Sequence, residues 1–367
     1  MPDPRLKRLA DVLVNYSVDV KPGEWVAVYY HPLAEELTAE VYRAILQAGG
    51  HPSSLVDSDM LTETFYRYAS DEQLSWTNPF IKLAYSEADI GIVLFGSDNT
   101  RYLTNVDPGK QQIAAGIMGP LNEIMFKRTA SGNFRWVLTQ IPCPAFAQEA
   151  DMSLGEYEDF VYKATFCDQD DPVAAWQRIH DEQQKIIDWL KGKKMIEIKS
   201  PDAELNLSIE ARSFVNADGK SNMPSGEIFT SPVENSVQGW VNFTYPAITQ
   251  GKEVTGVHFE FKDGKIVKAT ADKNEDFLLS MLDLDEGSRY LGEFAIGTNY
   301  GIQQFTGSIL FDEKIGGSFH MATGFGYPET GSKNMSAIHW DFICDVKKDS
   351  EIRVDGELLY KDGEFVI

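Results

Sequence analysis

The first half of the chain alternates between apolar runs typical of buried strands and apolar residues at helical spacing. Continuous apolar runs such as WVAVYY and IGIVLF predict strands that are buried on both faces. The predicted strands are residues 25–30, 52–56, 90–95 and 134–139. The predicted helices are residues 6–14, 37–48, 61–74 and 110–127, the last with a break at Pro120. This alternation predicts an α/β N-terminal domain with a mostly parallel sheet.

The pattern of apolar positions changes after Lys194 to the alternation that half-exposed strands show. Asp-Gly pairs that begin at residues 263, 355 and 362 are flanked by strand-forming residues and predict hairpin turns. One helix is predicted at residues 273–282. The second half is therefore predicted to be a β-rich α+β domain, with an antiparallel or mixed sheet or a barrel.

The boundary between the two halves is predicted within a long helix. Asp170-Asp171-Pro172 is a helix start signal, apolar residues follow at helical spacing, and Gly192 ends the pattern. A chain of 367 residues exceeds the usual size of one domain. We therefore predict an α/β scaffold domain at residues 1–190 and a β-rich catalytic, metal-binding domain at residues 191–367, with this helix as a candidate hinge.

The charge of the chain limits its partners. Its 56 acidic and 33 basic residues give a net charge of −23. Nucleic acids and anionic membrane surfaces attract cationic proteins, so neither is an expected partner. Solubility alone is the favoured explanation of the bulk charge, although a site that concentrates cations also fits it.

Cysteine usage and the N-terminal sequence predict a cytoplasmic protein. The three cysteines, Cys143, Cys167 and Cys344, form no CxxC pair, so neither a zinc knuckle nor a disulfide framework is expected. The N-terminal residues lack the apolar core of a signal peptide, and no run of about 18 apolar residues occurs.

The first half carries no nucleotide-binding fingerprint. Neither G-x-G-x-x-G after a strand nor G-x-x-x-x-G-K-[ST] is present. His31 follows the first strand, where ligands of α/β sheets often bind. A histidine that caps the next segment or lies at the surface is nevertheless the favoured interpretation. We therefore interpret this half as a scaffold.

Residues 312–341 hold two of the six histidines of the chain. His339 and Asp341 are two apart in a predicted strand, so their side chains share one face and Trp340 points to the other. Glu293 is the one charge in an apolar strand, and such a carboxylate must be paired or bind a metal. Glu227 also follows a glycine; for it, an exposed loop charge and a functional carboxylate are equally supported.

Three further residues have an ordinary structural explanation when taken singly. Asp312 and Lys314 would make Glu313 a surface charge, a lone buried histidine such as His320 is usually a hydrogen-bonded core residue, and Tyr327 would be structural.

The set as a whole predicts a site for two divalent cations. Imidazole with carboxylate suits zinc, cobalt or manganese better than magnesium or calcium. Two such ions would bridge a water, lower its pKa and polarise a carbonyl or phosphoryl oxygen. A carboxylate would act as general base, and a tyrosine hydroxyl would stabilise the oxyanion.

Four motifs in the second half resemble those of the M29 family of metallo-aminopeptidases, of the aminopeptidase T and aminopeptidase S type. They are GEIFTSP, GEFAIGTN, DEKIGGSFHMATGFGYPETG and HWDF, at residues 226–232, 292–299, 312–331 and 339–342. The resemblance implies that two metal ions are bound by Glu227, Glu293, Glu313, His320, His339 and Asp341. It also implies that Glu293 bridges the ions or lies against the water that bridges them, that Tyr327 is catalytic, and that the enzyme is a homodimer with broad specificity.

The chain departs from the family pattern in two spacings. The distance along the chain from Glu313 to His320 is longer than in the pattern, and the segment from Tyr327 to His339 is shorter. The shorter segment would change an edge of the cleft and hence the substrate range.

We therefore predict a metallo-aminopeptidase that cleaves peptides with a free N-terminus by means of a metal-bridged hydroxide. One alternative is another two-metal hydrolase, an amidohydrolase or phosphoesterase. A phosphate clamp would then be expected, and only Lys314, Lys333 and Arg289 lie near the motifs. The other alternative is a non-catalytic, metal-stabilised binding protein.

Overall fold

A computed structural model describes residues 3–367. The helices are α1 (Pro4–Val12), α2 (Glu35–Gln47), α3 (Asp59–Tyr68), α4 (Asp71–Leu74), α5 (Pro79–Glu87), α6 (Pro108–Ala130), α7 (Pro144–Glu149), α8 (Leu154–Ala164), α9 (Pro172–Leu190), α10 (Glu275–Leu282) and α11 (Ile309–Asp312). A π-helical segment, Leu13–Ser17, continues α1, and single 3-10 turns occur at Pro32–Ala34 and Pro328–Thr330.

The strands form three sheets and one isolated pair. They are β1 (Trp25–Tyr30), β2 (His51–Val56), β3 (Ile90–Phe95), β4 (Arg135–Gln140), β5 (Met195–Ser200), β6 (Ala203–Ser208), β7 (Val215–Ala217), β8 (Asn222–Met223), β9 (Glu227–Thr230), β10 (Gln238–Asn242), β11 (Ala247–Thr249), β12 (Lys252–Val254), β13 (His258–Lys262), β14 (Lys265–Thr270), β15 (Leu291–Gly297), β16 (Ser318–Gly324), β17 (His339–Asp345), β18 (Glu351–Val354), β19 (Glu357–Lys361) and β20 (Glu364–Phe365).

The chain divides into two compact units. The first is formed by residues up to 174 together with 219–224, and the second by residues 175–218 together with 225–367. The division at residue 190 that the sequence suggested stays a prediction. No helix of residues 3–367 is both long enough and apolar enough to cross a membrane.

The first unit contains the predicted parallel sheet with its helices. Its strand order is β2-β1-β3-β4-β8, and every neighbouring pair is parallel. The two apolar runs form β1 and β3 over the predicted residues. Helix α2 buries Leu37, Val41 and Ile45, the stripe that the sequence indicated. The prediction of an α/β layer is confirmed.

Two predictions about helices of this unit are wrong. Residues 61–74 form two helices, because Ser70 is extended and caps α4 with a reciprocal bond to Gln73. The predicted break at Pro120 is absent, since α6 continues through it from Pro108 to Ala130. A proline removes one hydrogen bond of the helix, and the turns on both sides of it keep α6 continuous.

The second unit is β-rich and antiparallel. It contains an eight-stranded sheet, β14-β13-β10-β6-β5-β18-β19-β20, and a five-stranded sheet, β17-β16-β15-β9-β7. The three predicted hairpin turns join β13 to β14, β18 to β19 and β19 to β20. Both residues of each Asp-Gly pair have positive φ, as a type I′ turn requires.

The core of the second unit lies on one face of the five-stranded sheet. Phe342 of β17 contacts Phe243 and Phe259, with ring centroids 5.2 and 4.9 Å apart. The fully buried ring of Phe342 contributes about 2–3 kcal/mol to stability. Because one face of this sheet is committed to the core, the carboxylate and imidazole side chains of its strands lie on the other.

Candidate metal centre

The five strand residues that the sequence singled out point to the same face of the five-stranded sheet. They are Glu227, Glu293, His320, His339 and Asp341. Glu293 and Asp341 are both paired in register with Ala322, and side chains two apart in a strand share a face. Trp340 points the other way and joins the core, as predicted.

Both histidines are held by backbone carbonyls. The Nδ1–H of His320 donates to the carbonyl of Glu313 at 2.9 Å, and that of His339 donates to the carbonyl of Phe325 at 2.8 Å. Because a carbonyl can only accept, the proton of each neutral ring lies on Nδ1. The lone pair of each Nε2 atom is then free for a metal ion.

The carboxylate of Glu293 lies between the two imidazoles. Its Oε1 atom is 3.3 Å from Nε2 of His320, and its Oε2 atom is 3.4 Å from Nε2 of His339. On one side, Oε2 of Glu227 lies 3.5 Å from Nε2 of His320. On the other side, Oδ1 of Asp341 lies 3.6 Å from Nε2 of His339. Two sets of three ligand-type side chains therefore share Glu293.

Two glycines allow the glutamates that follow them to occupy these positions. Gly226 has φ +110°, and a Cβ atom there would lie 2.7 Å from Cβ of Asn299. A Cβ atom at Gly292 would overlap the backbone oxygen of Phe325. Any larger residue would displace the backbone that carries Glu227 or Glu293.

Helix α9 fixes the backbone of Glu227. The buried Gln183 donates through Nε2 to the carbonyl of Glu227 at 2.7 Å and to Oγ1 of Thr298 at 3.0 Å. The sequence predicted this helix but gave no signal that marked Gln183 as part of the site. This contact gives α9 a role in positioning the site.

Glu313 is not a surface charge, so that alternative is wrong. It follows α11, and its neighbours Asp312 and Lys314 are 1% and 0% exposed. A carboxylate oxygen of Glu313 lies within 4.8 Å of ligand atoms of His320 and Asp341. The longer spacing to His320 therefore still brings Glu313 to the centre.

Lys314 is the residue of the centre that the sequence did not indicate. Its ammonium forms an ion pair with Glu313 and lies 3.8 Å from Oε1 of Glu227. A lysine in the run Asp-Glu-Lys is usually solvated, and no apolar periodicity marks it as buried.

Tyr327 packs over the His339 side of the centre. Its ring lies 5.3 Å from that of His339 and 5.5 Å from that of Phe229. Burial, and then the negative charges of Glu293 and Asp341, raise the pKa of the phenol. Tyr327 therefore remains protonated at neutral pH and can donate a hydrogen bond.

The protonation of the histidines reflects the excess of carboxylates. Burial alone lowers the pKa of His320, but the hydrogen bond to Glu293 and the charge of Glu227 outweigh burial and raise that pKa to about 9. Burial also opposes protonation of His339, yet the negative charge of Asp341 raises its pKa to about 10. Burial raises the pKa of Glu227 to about 8.

Divalent cations fit these residues. Oε2 of Glu227 and Oδ1 of Asp341 are buried, and neither has a hydrogen-bond partner. A buried anionic oxygen without a partner is costly, and a cation removes that cost. The donors are two imidazole nitrogens with carboxylate oxygens, which suits zinc, cobalt or manganese.

A further group of ligand-type residues, His31, Asp59 and Asp98, lies in the first unit. His31 caps the turn Pro32–Ala34, because its Nδ1 atom accepts a hydrogen bond from the Leu33 backbone N–H at 3.2 Å. The capping interpretation is confirmed, whereas the surface interpretation is wrong since His31 is buried. The proton of the neutral ring then lies on Nε2, the atom facing both aspartates, and this tautomer does not bind a metal there.

This fold carries a set of candidate metal ligands, and comparison with known proteins specifies the family. The family model described as "Thermophilic metalloprotease (M29)" matches residues 2–365. The chain therefore belongs to the M29 family, and the predicted resemblance is confirmed. The prediction of a metallo-aminopeptidase is confirmed at the level of the family.

Several relatives are similar over nearly the whole chain. Aminopeptidase 2 of Geobacillus stearothermophilus is 26% identical, over 98% of this chain and 95% of its own. Aminopeptidase T of Thermus thermophilus is 24% identical over the same shares. The solved structure of wild-type AmpT from Thermus thermophilus matches with a TM-score of 0.87 and 20% identity, over 99% of both chains. This structural match supports the fold.

Proposed function

We propose that this protein is a two-metal aminopeptidase that releases the N-terminal residue of peptides. The observation that carries the proposal is the position of Glu293, whose two oxygens face the Nε2 atoms of His320 and His339. A carboxylate between two imidazoles is the arrangement expected of a ligand that bridges two ions. Membership of a metalloprotease family and the names of the relatives support peptide substrates.

The two sets of three residues are the proposed ligands. Glu227, Glu293 and His320 would hold one ion, and Glu293, His339 and Asp341 would hold the other. Glu313 is the sixth proposed ligand, and one of its carboxylate oxygens lies within 4.8 Å of ligand atoms of His320 and Asp341. When bound, two zinc, cobalt or manganese ions polarise the scissile carbonyl and lower the pKa of a water between them.

The residues of the chain supply the remaining chemistry. Glu293 is the proposed catalytic carboxylate, since it lies between both imidazoles and can accept a proton there. Tyr327 is the proposed donor to the oxygen on which negative charge develops, because it is protonated and packs against His339. The carbonyl bonds of Phe325 and Glu313 hold both histidines in the metal-binding tautomer.

A phosphoesterase is less well supported. Lys314 is the candidate phosphate clamp nearest to the centre, and its ammonium is already bound by Glu313 and lies near Glu227. The side chain of Lys314 is also fully buried, so its ammonium is not exposed to a phosphate.

The proposed activity is tested with protein stripped of metal and refilled with zinc, cobalt, manganese or magnesium. Release of free amino acid is measured from a short peptide and from its N-acetylated twin. We expect metal-dependent cleavage of the free-amine peptide alone, and with zinc, cobalt or manganese rather than magnesium. Cleavage of both peptides, or of neither with about two ions bound per chain, would contradict an aminopeptidase.

We also propose a homodimer in the cytoplasm. Large apolar side chains of the first unit are exposed, among them Tyr68, Trp76, Phe80 and Phe126. Exposed apolar side chains mark association surfaces where they lie together. All three cysteines are free and buried, which fits a reducing compartment.

A further inference from the structure

Lys314 differs from the proposed ligands of the centre because an ammonium has no lone pair to offer to a metal ion. It lies between Glu313, which follows α11, and Ile315, which forms a bridge with Asn299. Its backbone oxygen accepts a hydrogen bond from the N–H of Asn299 at 3.2 Å. These backbone contacts hold the segment from which the Lys314 side chain extends. The side chain itself is fully buried.

The ammonium of Lys314 pairs with one carboxylate oxygen of Glu227 and one of Glu313. Oε1 of Glu227 lies 3.8 Å from the ammonium, whereas Oε2 lies 3.5 Å from Nε2 of His320. That Oε2 atom has no hydrogen-bond partner. In Glu313 the oxygen Oε1 is bound by the ammonium. One oxygen of each glutamate is thus paired with Lys314, and the other oxygen of each is not.

We propose that Lys314 is a positioning residue that makes Glu227 and Glu313 one-oxygen ligands. The inference rests on the proposed two-metal function. Carboxylates bind ions through one oxygen or two, and a catalytic ion must keep a position open for water or substrate. By binding one oxygen of each glutamate, Lys314 prevents two-oxygen binding and keeps coordination positions free for the reaction.

This role has a signature that a purely structural lysine lacks. Replacing Lys314 by methionine keeps the volume of the side chain but releases both Oε1 atoms. Each glutamate can then bind an ion through both oxygens, and a competing positive charge is gone. Both effects strengthen metal binding while they obstruct turnover. A structural lysine would instead weaken metal binding and stability together.

The test compares wild type, Lys314→Met, Lys314→Gln and Lys347→Met as full-length chains. Lys347 is the matched control, since it forms an ion pair with Asp345 at 3.2 Å in the same unit, at the end of β17. Apparent affinity for Mn²⁺ is measured by titration calorimetry on metal-free protein, and kcat and KM are measured on a free-amine peptide at saturating Mn²⁺.

We expect Lys314→Met to bind Mn²⁺ at least as tightly as wild type, with kcat lowered about 10-fold or more and KM within about 3-fold. Lys314→Gln keeps an N–H donor, so its kcat and Mn²⁺ affinity should lie between those of wild type and Lys314→Met. The Lys347→Met enzyme should match wild type in both quantities. If Lys314→Met does not fold, Lys314→Gln alone carries the comparison. Unchanged kcat, or Mn²⁺ affinity reduced 10-fold or more, would overturn the positioning role. An inactive wild type would refute the proposed function instead, and the affinity comparison would still decide the role of Lys314.

Discussion

At the scale of single residues, Glu293 is the position on which the proposed site depends most. Its two oxygens face two different histidines, and the residue is buried in β15. Glutamine keeps the size of the side chain but loses the charge and one acceptor oxygen. Because substitutions that only support metal ligands already cost about 10–100-fold, we expect Glu293→Gln to lower kcat at least about 100-fold.

The measurements for Glu293→Gln are kcat and the metal content per chain, with circular dichroism to check the fold. Glu260→Gln is the control, because Glu260 is an exposed partner of Lys268 on a different sheet. A fully active Glu293→Gln enzyme would remove Glu293 from the centre.

Protons compete with metal ions for the same ligands. Neighbouring carboxylates raise the pKa of His320 to about 9 and of His339 to about 10 against the effect of burial, and burial raises that of Glu227 to about 8. At neutral pH the metal-free site therefore holds protons that binding must release. Each released proton contributes a factor of about 10 per pH unit, so we expect apparent affinity to rise about 100-fold per pH unit or more between pH 6 and 8.

Titration calorimetry in buffers of different ionisation enthalpy measures both the affinity and the protons released. Release of two to three protons near pH 7 is expected. A Mn²⁺ affinity that does not change between pH 6 and 8 would contradict the assignment of both histidines.

The sequence indicates the ligand-type residues of the site better than it indicates their environment. His339 and Asp341 could be placed on one face because alternate side chains of a strand point the same way. In the structure both residues lie two apart in β17, as predicted. The burial of Lys314 could not be predicted, because this lysine follows two acidic residues and no apolar periodicity marks its position.

At the scale of elements, the carboxylate of Asp285 helps to hold the segment between Tyr327 and β17 in place. Asp285 accepts hydrogen bonds from Oγ of Ser336 at 2.8 Å and from the backbone N–H of Ala337 at 2.7 Å. These bonds, the backbone bond of Ala337 first, lower the pKa of Asp285 to about 2. The segment leads directly into His339.

We expect Asp285→Ala to lower the free energy of unfolding by about 1–2 kcal/mol at pH 7. The folded-state pKa lies below the ordinary value of 3.8, so this contribution is present above about pH 4 and is lost as the pH falls toward 2. Urea unfolding at pH 7 and pH 3 should show the difference from wild type shrinking at the lower pH. Glu286→Ala, at an exposed neighbour, is the control; a difference that is the same at both pH values would contradict this account.

The predictability of the elements follows the strength of their local signals. The predicted bounds of strands β1 and β3 match the structure. An uninterrupted apolar run is typical of a parallel strand that is buried on both faces. The Asp-Gly hairpins were equally clear, since their turns need positive φ. The split between α3 and α4 was missed, because Ser70 follows residues that continue the helical pattern. Strand order depends on long-range pairing and was not predicted.

At the scale of the whole molecule, the exposed apolar side chains of the first unit bear on the proposed dimer. Trp76 is 60% exposed and Phe80 is 69% exposed. We expect light scattering to give twice the chain mass of 41.1 kDa. Changing both residues to glutamate should shift the species toward the monomer, because charge at an apolar contact is costly.

Glu72→Lys is the control for the dimer experiment, since Glu72 is exposed on α4 and is already charged. A wild-type protein of single-chain mass would contradict the dimer. A double variant that stays dimeric would place the interface elsewhere.

The central claim, two ions that share Glu293, is tested most directly by X-ray diffraction from crystals loaded with zinc or cobalt. Data collected on both sides of the absorption edge of the metal locate each ion. We predict two anomalous peaks about 3.5–4 Å apart, one beside Glu227 and His320 and the other beside His339 and Asp341, with Glu293 between them. A single peak, or two peaks of which neither contacts Glu293, would contradict the two-metal centre.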